Sequence, residues 1–423
     1  MSLHDRDERL EQAILAAARE RLAADPPALG GTVDAIPPAI TAAGLGPERA
    51  ATLLLDRVIP GAFQIDHPRY LAFIPSAQAP AAALADVLLA VNSIYGGSWL
   101  EGSGLVAAEN QALRWLADLA GLPATAGGTF VQGGTNGNLS ALHAARAAAR
   151  ARGERATRVA VSDDAHSSIA HMLRVMDAEP VGLDALDADG VFAVVATAGT
   201  TNLGRVDDLA AVAEVCRERG LWMHVDGAYG LAALCAPSVR HRFAGIEHAD
   251  SFIVDPHKWL FSPFDCCALV YRDPALGRAA HRQHASYLEA LYADDAAFNP
   301  SDYGVHLTRR ARGLPFWFAL AVHGTDAFTE AVETTLAVTR AGAQEIRARE
   351  ELELLLAPEL SVLVFRRRGW TPADYDRWAD GLRASGTAFV MPTTVAGETV
   401  ARLALVNPRT TLDDLRAVLD AMR

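Results

Sequence analysis

The chain has 423 residues, 51% of them hydrophobic and 21% charged, with a formal net charge of −13. That length supports more than one structural unit around a sizeable core, and the composition is that of an ordinary soluble globular protein rather than a disordered one. The acidic excess argues against nucleic acid as a partner and offers no basic patch to a membrane surface.

The start, MSLHDRDERLEQ, is charged and lacks the apolar stretch of a secretory leader. No run approaches the ~18 apolar residues of a membrane helix, so a cytoplasmic location and no membrane partner are expected. Four cysteines, Cys216, Cys235, Cys266 and Cys267, have no CxxC or Cys/His spacing of a zinc site and are expected to be reduced and packed. His224 and Asp226 could be two ligands on one strand face, but spacing supplies no third, so no metal is expected.

Taken in order, Arg9 to Leu22 places Leu10, Ile14, Leu15, Ala18 and Leu22 at helical spacing, and a second helix follows Gly46. This N-terminal segment, 1–58, is too small for a core of its own. His67 to Ala77, HPRYLAFIPSA, is a loop with an apolar middle that packs on the core, followed by an alanine-rich helix to Val91 and another from about Val106 to Leu119. At Gly127 to Leu139, GGTFVQGGTNGNL, a short apolar strand runs into glycines, and an alanine-rich helix opens at Leu139. Strand, glycine turn and helix N-terminus together make an anion cradle, because backbone N–H groups and the positive end of the helix dipole face one point. The turn has neither GKS/T nor GxGxxG, which demotes ATP and NAD.

Further strands are expected near residues 158, 192, 222 and 252, with helical stretches between them. That βα alternation predicts an α/β fold with a mainly parallel central sheet covered on both faces. The strand ends carry the glycine turn, then His166 in SDDAHSSI, Thr201, Asp226 in GLWMHVDGAYG and Asp255–Lys258 in SFIVDPHKWL. Ligands bind at such carboxyl ends, so these groups are expected to share one edge. A lysine beside a histidine and a carboxylate is a candidate Schiff-base nucleophile, desolvation lowering its pKa toward a usable amine. Asp226 could hold a pyridinium nitrogen protonated, with Gly227 and Ala228 leaving room for a flat ring.

HVDGAYG, the lysine of DPHKW 32 positions after Asp226, and FDCCALVYRD jointly resemble the pyridoxal-phosphate (PLP) group II amino-acid decarboxylases, which include aromatic-L-amino-acid, histidine and glutamate decarboxylases. The resemblance covers roughly residues 60–423 and implies a fold-type I, aspartate-aminotransferase-like enzyme. It implies an N-terminal segment 1–58, a PLP-binding domain 59–305 and a small C-terminal α+β domain 306–423, assembled as a homodimer. PLP would sit on Gly134, Thr135, Asn136, Thr201, Asp226, Ala228, Asp255, His257 and Lys258, with His166 stacked on the ring and available as a proton donor. Phe73, Ile74 and Pro75 would line the substrate side-chain pocket.

Tyr287 lies 29 residues after Lys258, inside a polar stretch from Ala279 to Pro300 expected to be a loop. Family decarboxylases place there a tyrosine that protonates the substrate's α-carbon, whereas members with phenylalanine make an aldehyde. LTRRARGLPFW, Leu307 to Trp317, is similar to the family's RRxRxLxxW and opens the last unit. The expected activity is decarboxylation of an aromatic or bulky apolar L-amino acid through a Lys258 Schiff base. The alternatives are a transaminase or an oxidative deaminase on the same scaffold, or an inactive PLP-fold binding protein.

Overall fold

A computed structural model describes residues 6–33, 35–292 and 297–423, with the side chains of Tyr287, Ala290 and Tyr292 outside the description. Four helices lead in: α1 (Glu8–Ala23), α2 (Pro47–Leu53), α3 (Pro80–Asn92) and α4 (Trp99–Leu119). The last starts seven residues before the expected Val106, because Ser98 caps it by accepting the Glu101 N–H.

The strands β1 (Gly127–Val131), β2 (Arg158–Val161), β3 (Glu179–Val181), β4 (Val191–Thr197), β5 (Trp222–Asp226), β6 (Ser251–Val254) and β7 (Cys267–Tyr271) form one sheet in the order β1-β7-β6-β5-β4-β2-β3. Neighbours from β6 through β3 run parallel; β7 alone is reversed, antiparallel to both β6 and β1. The crossovers are α5 (Gly134–Ala151), α6 (Ser167–Val175) and α7 (Leu209–Arg219). Every residue of β5, β6 and β7 is buried, which is why they appear in the sequence as continuous apolar runs. Fully buried side chains such as Phe252 and Phe130 each contribute about 1.5–3 kcal/mol by leaving water.

Helix α5 starts at Gly134, five residues before the expected Leu139: the glycines of the turn are themselves its first residues. It lies close on the sheet, since a Cβ on Gly137 would stand 2.8 Å from Ile253 Cγ2 and 3.1 Å from Cys267 Sγ. The stretch Ala279–Pro300 is not one open loop either. It contains the end of α8 (Pro274–His281) and a 3-10 turn at Ser286–Tyr292.

Helix α9 (Leu314–Arg347) packs on α3 and α4 at one end and on β8 (Leu352–Leu354) and β9 (Val362–Arg367) at the other. With α10 (Pro372–Ala384) and α11 (Leu412–Asp420), it covers a small antiparallel sheet in the order β10-β11-β9-β8, in which β10 is Thr393–Val395 and β11 is Glu398–Ala404. Among the described residues no helix is long and apolar enough to cross a membrane.

Candidate active site

The carboxyl ends of the parallel strands open into a cavity of about 390 Å³ lined by Gly133, Gly134, Thr135, Asn138, His166, Thr197, Thr201, Asp226, Ala228, Asp255, His257 and Lys258, with Phe73 and Ile74 at its mouth. The groups expected to share an edge therefore do. Pro75 is buried outside this lining, and Asn136, half-buried, also lies outside it, its Oδ1 buried without a hydrogen-bond partner. The side chain of Tyr287 lies outside the described residues.

Lys258 follows β6 on a turn closed by its N–H donating to the Asp255 carbonyl at 2.9 Å. Its Nζ is also 2.9 Å from Asp255 Oδ2, and that carboxylate is 1% exposed. This corrects the expectation of a lowered lysine pKa. Burial does pull the ammonium down, but the attraction and hydrogen bond of Asp255 outweigh it and leave Lys258 above the ordinary lysine value. For Asp255, burial pushes upward, and Lys258 and His257 bring it below the usual carboxylate range. Without its partner the cofactor-free lysine would be a half-buried, unpaired cation; with it, Lys258 rests as an ammonium.

Asp226 ends β5 at 5% exposure. Its Oδ1 accepts the Ala228 N–H at 3.1 Å and its Oδ2 accepts Asn138 Nδ2 at 2.9 Å. The N–H groups of Gly134, Thr135 and Asn136 belong to the first turn of α5, where no intrahelical acceptor exists. His166 caps α6: the Ser168 N–H and hydroxyl meet its Nδ1 at 3.2 and 2.9 Å, so the neutral ring carries its proton on Nε2. His257 Nδ1 is 2.6 Å from the Cys266 carbonyl, and burial pushes its pKa down.

Two buried residues of the site were not anticipated. Asn138 sits four positions after Gly134, on the same face of α5, which is the signal that could have found it. Arg402, in β11, is 5% exposed; its Nε and Nη2 donate to the Thr201 carbonyl at 2.9 and 2.6 Å, and its Nη1 to the Phe73 carbonyl at 2.9 Å. A lone arginine inside the apolar run RLALV was its visible mark. Phe73 itself has φ +54°, a left-handed backbone at a phenylalanine, held from both sides by this contact and by the Leu71 N–H bond to Phe389.

A lysine, a strand-end carboxylate, an anion-receiving helix start and a histidine around one cavity at a parallel sheet edge define a fold-type I PLP-dependent enzyme. The donor set suits PLP: an amine for its aldehyde, a carboxylate for its ring nitrogen, unpaired N–H groups for its phosphate. Thr197 Oγ1, a lining atom, is buried with no partner of its own. Residues 172–368 match the pyridoxal-dependent decarboxylase conserved domain. The chain is 32% identical to L-2,4-diaminobutyrate decarboxylase of Rhizobium meliloti (strain 1021), over 93% of this chain and 85% of the relative. It is 28% identical to aromatic-L-amino-acid decarboxylase of Bacillus atrophaeus, over 84% and 80%. The fold is that of the crystal structure of Oryza sativa TDC with PLP and tryptamine, with TM-score 0.89, 24% identity, and 100% and 98% of the two chains covered. The chain belongs to the pyridoxal-dependent decarboxylase family, and its activity is the PLP-dependent decarboxylation of an amino acid.

Proposed function

We propose that the substrate is an aromatic or bulky apolar L-amino acid and that Lys258, Asp226, His166 and Tyr287 are the catalytic residues of a cytoplasmic homodimer. The observation that carries this is the composition of the cavity at the sheet edge. Its charged and titratable groups, His166, Asp226, Tyr229, Asp255, His257 and Lys258, all end or closely follow strands of the sheet, while the mouth is formed by Phe73 and Ile74. An acidic or basic substrate side chain at that mouth would be left without a partner, which is costly once desolvated.

Bound PLP supplies an electron sink for the pair released when carbon dioxide departs. Lys258 Nζ is the amine for its aldehyde and must first give up the proton that Asp255 stabilises. Asp226, already aimed by two N–H donors, would hold the ring nitrogen. The first turn of α5, Gly134 to Asn136, would receive the phosphate, with Thr201, Ala228, Asp255 and His257 bounding the remaining walls. His166 would cover one face of the ring and present Nε2–H. Tyr287 or His166 returns a proton to the substrate's α-carbon as general acid.

The exposed apolar side chains of α3 support a dimer: Leu88 is 65% and Val91 77% exposed. Four buried, unpaired cysteines accord with a reducing compartment. The division into 1–58, 59–305 and 306–423 is part of the same reading.

A second reading, a short diamino acid, is favoured by the 32% identity to the diaminobutyrate enzyme. Carbon dioxide and amine release from L-tryptophan, L-tyrosine, L-phenylalanine, L-leucine and L-2,4-diaminobutyrate separates the two. Release from the aromatic or apolar members, absent in Lys258→Ala, supports the first. Release from diaminobutyrate alone overturns it. Tyr287→Phe is expected to lower amine yield and produce aldehyde.

A further inference from the structure

From Asn138 at the cavity wall, a line of buried polar groups that the reaction does not itself use runs back behind Asp226. Trp222 Nε1 lies 2.8 Å from Ser251 Oγ, Ser251 Oγ 2.8 Å from His224 Nδ1, His224 Nε2 2.8 Å from Asn138 Oδ1, and Asn138 Nδ2 2.9 Å from Asp226 Oδ2. Asn138, His224 and Ser251 are each 0–1% exposed. Four unlike side chains from α5, β5 and β6 meet in register because His224 and Asp226 share one face of β5 and Ser251 pairs directly with His224.

The donor inventory leaves one arrangement of protons. A carboxylate only accepts, so Asn138 must turn its amide N–H to Asp226 and its oxygen to His224. His224 must then donate from Nε2. Burial pushes its pKa down to about 3, so the ring is neutral and its Nδ1 is an acceptor. Ser251 therefore donates its hydroxyl to Nδ1 and accepts from the indole N–H of Trp222, which can only donate. Every bond points the same way, from Trp222 toward Asp226, and each donor is polarised by the one before it.

We infer that Asn138 and His224 are positioning residues: the chain of donors fixes the aim of Asp226 and keeps its Oδ2 an acceptor, so that Oδ1 and Oδ2 both remain available to a protonated ring nitrogen. The inference rests on the reading that Asp226 meets that nitrogen. It adds that the carboxylate's state is set by hydrogen-bond partners of Asp226, through Asn138 at the cavity wall and His224 and Ser251 behind it.

The test uses the PLP-loaded enzyme and follows the pH dependence of its visible absorbance band, kcat and KM separately, and Tm. Asn138→Ala and His224→Phe are expected to move the pH midpoint of the band and to lower kcat by about 10- to 100-fold, as outer partners of charged ligand groups do, with KM little changed. His224→Gln, which offers one donor and one acceptor, is expected to recover most of kcat. Asn138→Asp, nearly isosteric, covers the case in which a truncation fails to fold: a carboxyl there can serve Asp226 only when protonated, so its band should gain a pH dependence. Variants that keep the wild-type band profile and kcat and lose only Tm would overturn the inference. If Asp226→Asn also leaves band and rate unchanged, the role of Asp226 falls with it; if Asp226→Asn alone changes them, only the role of its partners falls.

Discussion

Arg402 holds the backbone of Thr201, donating twice to its carbonyl oxygen, at 2.6 and 2.9 Å. The same guanidinium reaches the Phe73 carbonyl at 2.9 Å, so one residue of the small sheet pins two segments of the cavity rim. Among the described residues no carboxylate pairs with it, and burial pulls its pKa down to about 10. It is bound by carbonyls alone. Arg402→Met is therefore expected to loosen both rim segments, raising KM and lowering kcat together. Lost hydrogen bonds to the charged group are worth about 1.5–3 kcal/mol each. Steady-state kinetics across the substrate panel check this; unchanged kinetics would remove Arg402 from the account of the rim.

Asp255 holds Lys258 as an ammonium, so the amine is masked at neutral pH. Asp255→Asn removes the largest raising influence, so burial pulls the lysine pKa down with only the weaker attraction of Asp226 and Cys267 against it. A larger neutral fraction follows, and PLP uptake by the cofactor-free protein should become faster at neutral pH, its pH midpoint moving downward. Stopped-flow absorbance against pH measures it, and an unmoved midpoint would show that Asp255 does not control the amine.

His224 and His281 are buried, at 0% and 7% exposure, and burial takes their pKa values to about 3 and about 4. Both lie below the ordinary histidine value, so the unfolded chain binds more protons than the folded one between roughly pH 6.5 and 4. Stability is then complete above the ordinary value and lost as pH falls. Each histidine costs about 1.4 kcal/mol per pH unit inside the window. Urea unfolding at pH 7, 6 and 5 should give falling midpoints, with a shallower decline in His281→Gln.

The Arg309 and Glu109 pair is 2.7 Å apart, with side chains 1% and 2% exposed. Arg309 also donates to the Gly96 carbonyl, and Glu109 accepts the Gly313 N–H at 2.7 Å, so the pair joins α4 to the start of α9. Glu109→Gln strands a buried guanidinium and should destabilise by about 3–5 kcal/mol. Replacing both partners with apolar residues of similar volume should cost less. Chemical denaturation of the two variants decides, and equal losses would contradict the desolvation account.

How much was legible depended on burial. The five strands expected in the central sheet were visible because a sheet covered on both faces writes itself as apolar runs, and β4, Val191–Thr197, falls on the strand expected near residue 192. β3 was not expected: it is three residues, EPV, with its first two exposed at the sheet edge, and no pattern distinguishes it from a turn. The residues around the cofactor were visible through a family resemblance concentrated at strand ends. Asn138 and Arg402 were not, because each acts across the fold, one on a strand 88 residues away and the other on a loop 201 residues away. Such pairings are set by tertiary packing, which local periodicity does not encode.

The reversed strand β7 sets a length inside the enzyme. Its first residue, Cys267, pairs with Val131, which leads to the glycine turn, and its second, Ala268, pairs with Val254, which leads to Lys258. The anion end and the amine end of the cavity therefore hang from adjacent rungs of one strand, like the two jaws of a caliper. Loops elsewhere can lengthen without disturbing that gap. A single residue inserted into β7 would turn its side chains to the opposite faces and reset both jaws at once.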